Sequence, residues 1–107
     1  MAKARITVVV KKDEKGEPAE VYFYFNPEGR DLLVNELAHL SEQSDHFHMH
    51  PAEWEIEVPL AMRAYVPTEE MLVPHVKMMF RTDEWDEKYF PHVLAESDAG
   101  DATRQQL

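Results

Sequence analysis

The apolar residues between Glu20 and Leu40 change their period at one point, Asn26-Pro27. Before it, Val21, Phe23 and Phe25 alternate with Tyr22 and Tyr24, the two-residue period of a strand with two unlike faces. After it, Leu33, Leu37 and Leu40, supported by Val34 and Ala38, return at helical spacing and form one stripe. Asn26 can cap, Pro27 suits the first helical position, and Glu28 favours the positive end of the dipole. A strand therefore runs straight into a helix, and the helix is expected from Pro27 to about Gln43. Arg30, Asp31, Glu36 and Glu42 fall mostly off the stripe.

The flanking segments read as strands. Residues 4–10 are β-branched and compact, as in a largely buried strand. Residues 11–18 are charged and contain Gly16 and Pro18, so the first two strands should form an antiparallel hairpin. A second hairpin is expected over residues 45–60. There Phe47 and Met49 would join Trp54, Ile56 and Val58 in the core, with His46, His48 and His50 facing away near Glu53, Glu55 and Glu57. Residues 62–66 can extend a strand, 67–70 suit a turn or a short helix start, and 73–80 a further strand whose start Pro74 confines to an edge. Met71, Met78, Met79 and Phe80 are taken as core. Residues 82–90 suit a short helix limited by Pro91. The fold class is α+β: a mainly antiparallel sheet of four to five strands in ββαβββ order, packed by one main helix, with a short C-terminal helix. A single domain is expected over residues 1–94, followed by a polar, unpatterned and flexible tail at 95–107.

Charge narrows the function. With 21 acids against 11 bases the formal net charge is -10, a field that repels phosphate backbones and speeds encounter with a basic protein. No basic stripe reverses it, so a nucleic-acid partner is not expected. The apolar run at residues 6–10 is too short for a signal-peptide core or a membrane span, and a cytoplasmic protein without a membrane partner is expected. The absence of cysteine excludes disulfides and thiolate chemistry and fits a reducing compartment.

Three groups of side chains carry chemistry. His46, His48 and His50 alternate along a strand, so two imidazoles can share a divalent transition metal with Glu55 or Glu57 as a third ligand. No fixed ligand spacing accompanies them, and a solvated face of histidines beside glutamates is the plainer reading. Carboxylates nearby would favour the charged imidazoles and make this face pH-sensitive. Glu53, Glu55 and Glu57 form one acidic docking face. Asp83, Glu84, Asp86 and Glu87 around Trp85 form another, unless Trp85 turns into the core, which weighs slightly more for so large an aromatic. His39, His75 and His92 are read as surface or satisfied residues. No Gly-x-Ser-x-Gly elbow or phosphate-cradling glycine loop occurs, and no enzyme activity is expected.

The run Phe25-Asn26-Pro27-Glu28-Gly29-Arg30-Asp31-Leu32-Leu33, with Leu37, Leu40 and His46-Phe47-His48-Met49 after it, resembles the immunity protein 32 family of bacterial polymorphic-toxin systems. The resemblance covers roughly residues 20 to 60, and Arg30 departs from the apolar residue expected after the glycine. It implies a small α+β protein that neutralises a cognate toxin by binding it, and it assigns no functional residue. From the residues alone, the leading expectation is an acidic protein-binding module with a basic protein partner. A metal-binding domain or metal-dependent enzyme on the histidine strand, and a homo-oligomer joined at a sheet edge, are the alternatives.

Overall fold

The computed structural model describes residues 3–51 and 58–95. The chain is α+β, with the order β1 (Ile6–Lys12), β2 (Pro18–Phe25), α1 (Pro27–Ala38), β3 (His46–Pro51), β4 (Val58–Leu60), β5 (Glu70–Leu72), β6 (Val76–Met79) and α2 (Asp83–Tyr89). A single 3-10 turn, Pro91–Val93, follows α2. The strands form two three-stranded sheets, β2-β1-β5 and β4-β3-β6, rather than the one sheet of four to five strands expected. No helix among the described residues is long and apolar enough to cross a membrane.

The first hairpin is antiparallel as anticipated, pairing Ile6 with Phe25, Val8 with Phe23 and Val10 with Val21. Its turn is closed by Asp13, whose carboxylate accepts the amides of Lys15 and Glu17, both at 2.9 Å. Gly16 takes φ +82, the left-handed region where a side chain would be strained. Strand β1 is central, with β5 on its other edge, and Ile6, Thr7, Val8 and Val9 are all buried. Burial on both faces is what selects a continuous β-branched run over an alternating one.

Ile6 and Val8 project from one face of this sheet into a core shared with Phe47, Met49, Val58 and Leu60 of the second sheet. Leu32, Leu33, Leu40, Val73, Val76 and Met78 pack against it. Backbone bonds tie the sheets at the same place: the Ala61 amide donates to the Ile6 carbonyl at 2.7 Å, and the Val73 amide to that of Val8 at 2.8 Å.

Helix α1 begins as expected. Asn26 Oδ1 accepts the Gly29 amide at 2.8 Å and the Arg5 amide at 2.9 Å, while its Nδ2 donates to the Lys3 carbonyl at 2.8 Å. One side chain thus caps the helix and pins the chain entering β1. The helix stops at Ala38, short of Gln43, with His39 as its C-cap. Its buried face is also rotated from the expected stripe: Leu32 and Leu33 pack on the core, whereas Val34 and Leu37 are exposed. Leu40 reaches the core from beyond the helix.

The second hairpin is replaced by a different pairing. Strand β3 pairs parallel with β4, Met49 with Val58 and Pro51 with Leu60, and antiparallel with β6, Phe47 with Met78. A two-residue period is common to both pairings and does not choose between them. Pro51 ends β3 and Pro59 sits on the edge strand β4, where a missing donor is tolerated. Residues 62–66 form no strand, residues 67–69 are a turn, and β5 is a short edge strand the sequence did not suggest. Of the group taken as core, Met78 packs against it, but Met71, Met79 and Phe80 are exposed. The expected tail beyond residue 95, and Trp54 and Ile56, lie outside the described residues.

Gly29 is required by space. A Cβ there would lie 2.6 Å from the Arg5 carbonyl oxygen and 3.0 Å from Ile6 Cγ1. Helix propensity alone gives Gly29→Ala a gain of about 1 kcal/mol. The clash is with backbone that β1 holds in place, and overpacking of this kind costs about 1–3 kcal/mol. Gly29→Ala is therefore expected to lower unfolding free energy in urea titrations, and an equal or higher stability would show that the helix is not seated on β1 in this way. Asn26→Ala is expected to cost about 1–2 kcal/mol through the lost cap.

Candidate functional site

Alternation along β3 sends Phe47 and Met49 into the core and His46, His48 and His50 to the outer face of the second sheet. The rings follow one another in a ladder. His46 meets His48 edge-on at 5.1 Å between centroids, and His48 stacks on His50 at 5.3 Å. His75 extends it: its Nδ1 lies 2.6 Å from that of His50. The register leads there, because Met49 pairs with Val76, and His50 and His75 are the next residues along the two segments beyond that pair. Sequence reading missed His75 because its partner lies 25 residues away and only the β3–β6 pairing, not a local motif, joins them.

The His50–His75 contact needs one nitrogen to donate and the other to accept, so the two cannot both carry a hydrogen there. Two imidazole nitrogens on one tetrahedral zinc stand about 3.3 Å apart, given bonds of roughly 2.0–2.1 Å. At 2.6 Å the His50 and His75 nitrogens stand at hydrogen-bond distance. Among the described residues no group of three or more His, Asp or Glu is arranged to hold a metal. Glu55 and Glu57, named above as a third ligand, and Glu53 lie outside the described residues. The described cross-strand neighbours are Lys77 opposite His48, Met79 opposite His46 and Pro59 opposite His50.

At its other end the ladder meets the acidic helix. Asp45 Oδ1 accepts from His46 Nδ1 at 2.8 Å, and its Oδ2 accepts from Arg81 Nη1 at 3.0 Å. The His46 hydrogen bond, with the Arg81 charge beside it, holds the Asp45 carboxyl below its usual range. The Arg81 guanidinium lies 4.2 Å from the centre of the Trp85 ring. Thr82 caps α2, accepting the Trp85 amide at 3.1 Å. Trp85 is half-buried against Tyr89 and Phe90 and belongs to this small cluster, not to the main core. Asp83, Glu84 and Glu87 face solvent, and Asp86 is partly covered.

Two features that the sequence did not mark as part of a site complete the surface. The first is a row on β2, an edge strand of its sheet among the described residues: Val21 is 57% exposed, Phe23 41% and Phe25 48%. They lie on the same side of the sheet as Ile6, Val8 and Val10, but beyond the reach of the elements that cover the core. The second is a carboxylate on the opposite side. Glu70 Oε1 accepts the Tyr65 and Val66 amides, both at 2.9 Å, and Oε2 accepts the Tyr24 hydroxyl at 2.7 Å. Tyr24 and Tyr65 stack at 4.0 Å. Hydrogen bonding from Val66, with further donation from Tyr24 and Tyr65, depresses the Glu70 carboxyl, and the same bond pushes Tyr24 up to about 12.

No family model, curated protein or solved structure matches the chain.

The Tyr24–Glu70 bond has a pH signature. Glu70, with its folded value depressed, contributes stability that is complete above about pH 4.5 and is lost as pH falls through the folded value. Tyr24, with its folded value raised, contributes stability that is complete below about pH 10 and is lost as pH rises toward 12. Tyr24→Phe should flatten the alkaline limb of a stability-against-pH curve relative to the parent chain. Parallel alkaline limbs for the two proteins would contradict the assignment.

Proposed function

We propose that this chain is a non-enzymatic protein-binding module that docks a basic partner on the β2 edge. The observation that carries the reading is the exposed row Val21, Phe23 and Phe25 on a strand that has no partner on its outer edge among the described residues. Soluble domains protect such edges or use them, and an extended partner segment can add its own strand there while its side chains rest on the apolar row. Aromatics that become fully desolvated on docking supply most of the affinity, and the acidic field supplies encounter rate and orientation. The acids of α2 around Trp85, and Glu53, Glu55 and Glu57, belong to that field. Toxin neutralisation, implied by the resemblance to immunity protein 32, is the instance of this function we favour, in the cytoplasm of the producing cell.

Pairing of β2 with a second copy of the chain would use the same edge, but two copies each carrying -10 repel one another. The charge favours a partner of opposite sign. Affinity capture at low salt, followed by reconstitution with the purified partner, tests the reading. Phe23→Glu is expected to weaken binding by roughly 30-fold or more, the loss of about 2 kcal/mol that marks an interface anchor. Association of the parent chain should slow as salt rises. Equal affinity of a folded Phe23→Glu chain would remove β2 as the docking surface, and a mass doubling with concentration would favour self-association instead.

A further inference from the structure

On the opposite side of the β1–β2–β5 sheet from the apolar row lies a shallow pocket of about 240 Å³, lined by Arg5, Thr7, Ala61, Arg63, Ala64 and Tyr65. We propose that it binds a small organic carboxylate. In this reading Arg5 and Arg63 grip the carboxylate, the Thr7 hydroxyl donates to it, and its apolar body rests on Ala61, Ala64 and the Tyr65 ring.

Charge is the first support. Only 11 of the chain's side chains are Lys or Arg, and two of them line this one pocket. Of the four arginines among the described residues, Arg30 and Arg81 each meet a carboxylate. Among the described residues neither Arg5 nor Arg63 forms an ion pair, despite the excess of acids. Thr7 is the second. It is only 1% exposed, and its hydroxyl forms no side-chain hydrogen bond among the described residues. Thr7 is nonetheless one of the residues that line the pocket.

The wall is also held in place. The Tyr65 ring is stacked on Tyr24, and its amide is bound by the buried Glu70 carboxylate, so the pocket does not have to be organised by its ligand. Planar guanidinium forks match a carboxylate's two oxygens, and Ala61, Ala64 and the Tyr65 ring offer an apolar body a surface that inorganic phosphate cannot use. The volume lies below the roughly 300–1,000 Å³ of drug-sized sites and suits a compact acid.

The test is a titration of the full chain with acetate, benzoate and phenylacetate, followed by amide NMR shifts at low salt, with benzyl alcohol and inorganic phosphate as controls. Saturable shifts at Thr7, Ala61, Ala64 and Tyr65 are expected for at least one aromatic acid and for neither control. Arg63→Gln, at an exposed position that leaves the core untouched, should weaken that binding at least 10-fold, and Thr7→Val should weaken it less. Absence of saturable shifts with all three acids would overturn the proposal. So would equal binding of phosphate, or an Arg63→Gln chain that binds as well as the parent. Phe23→Glu should leave the titration unchanged, which separates this site from the docking row.

Discussion

The seat of α1 on the start of β1 is the contact on which the rest of the structure depends. Gly29 comes so close to the Arg5 carbonyl that no side chain fits between them, and Asn26 bonds to the backbone of Lys3, Arg5 and Gly29 at once. Ile6, the next residue along, fills the core, pairs with Phe25 and accepts the Ala61 amide that links the two sheets. Helix, hairpin and second sheet therefore meet within a few residues. Displacing the helix there would disturb all three.

That joint also decides what stays uncovered. Because α1 turns away directly after Phe25 and spends Leu32 and Leu33 on the core, nothing among the described residues covers the outer half of the same sheet face. Val21, Phe23 and Phe25 keep contact with water at an unfavourable free energy of roughly 25 cal/mol per Å² of apolar area. A partner recovers that free energy on binding. The strand edge beside them offers backbone groups for a ladder, and the acidic field selects which proteins approach.

The sequence made the local chemistry legible wherever it was confined to neighbouring residues. The change of period at Asn26-Pro27, the Asn26 cap, the β1–β2 hairpin and the inward turn of Phe47 and Met49 all follow from spacing of a few residues. What it concealed is non-local. A two-residue period does not distinguish a hairpin from the parallel β3–β4 pairing, and without the β3–β6 register His75 had no visible partner. For the same reason the apolar row of β2 was read correctly as one face, while its exposure was not foreseen. Whether a face is covered depends on how far the neighbouring elements reach, which spacing along one strand does not show. Of the residues named for a site, the histidines stand together, Trp85 joins them through Arg81 and Asp45, and Arg5, Arg63 and Glu70 carried no sequence signal because each acts with residues far along the chain.

The account rests on β2 presenting a free edge in the isolated protein, and residue-resolved amide hydrogen exchange reads this directly. Within β2, amides directed at β1 should exchange slowly and the alternate ones, directed off the sheet, should exchange at nearly the rate of an open chain. In β1, which is paired on both sides along part of its length, protection should extend to successive amides. Uniform slow exchange of successive amides along β2 would show that its edge is already occupied and would contradict the account.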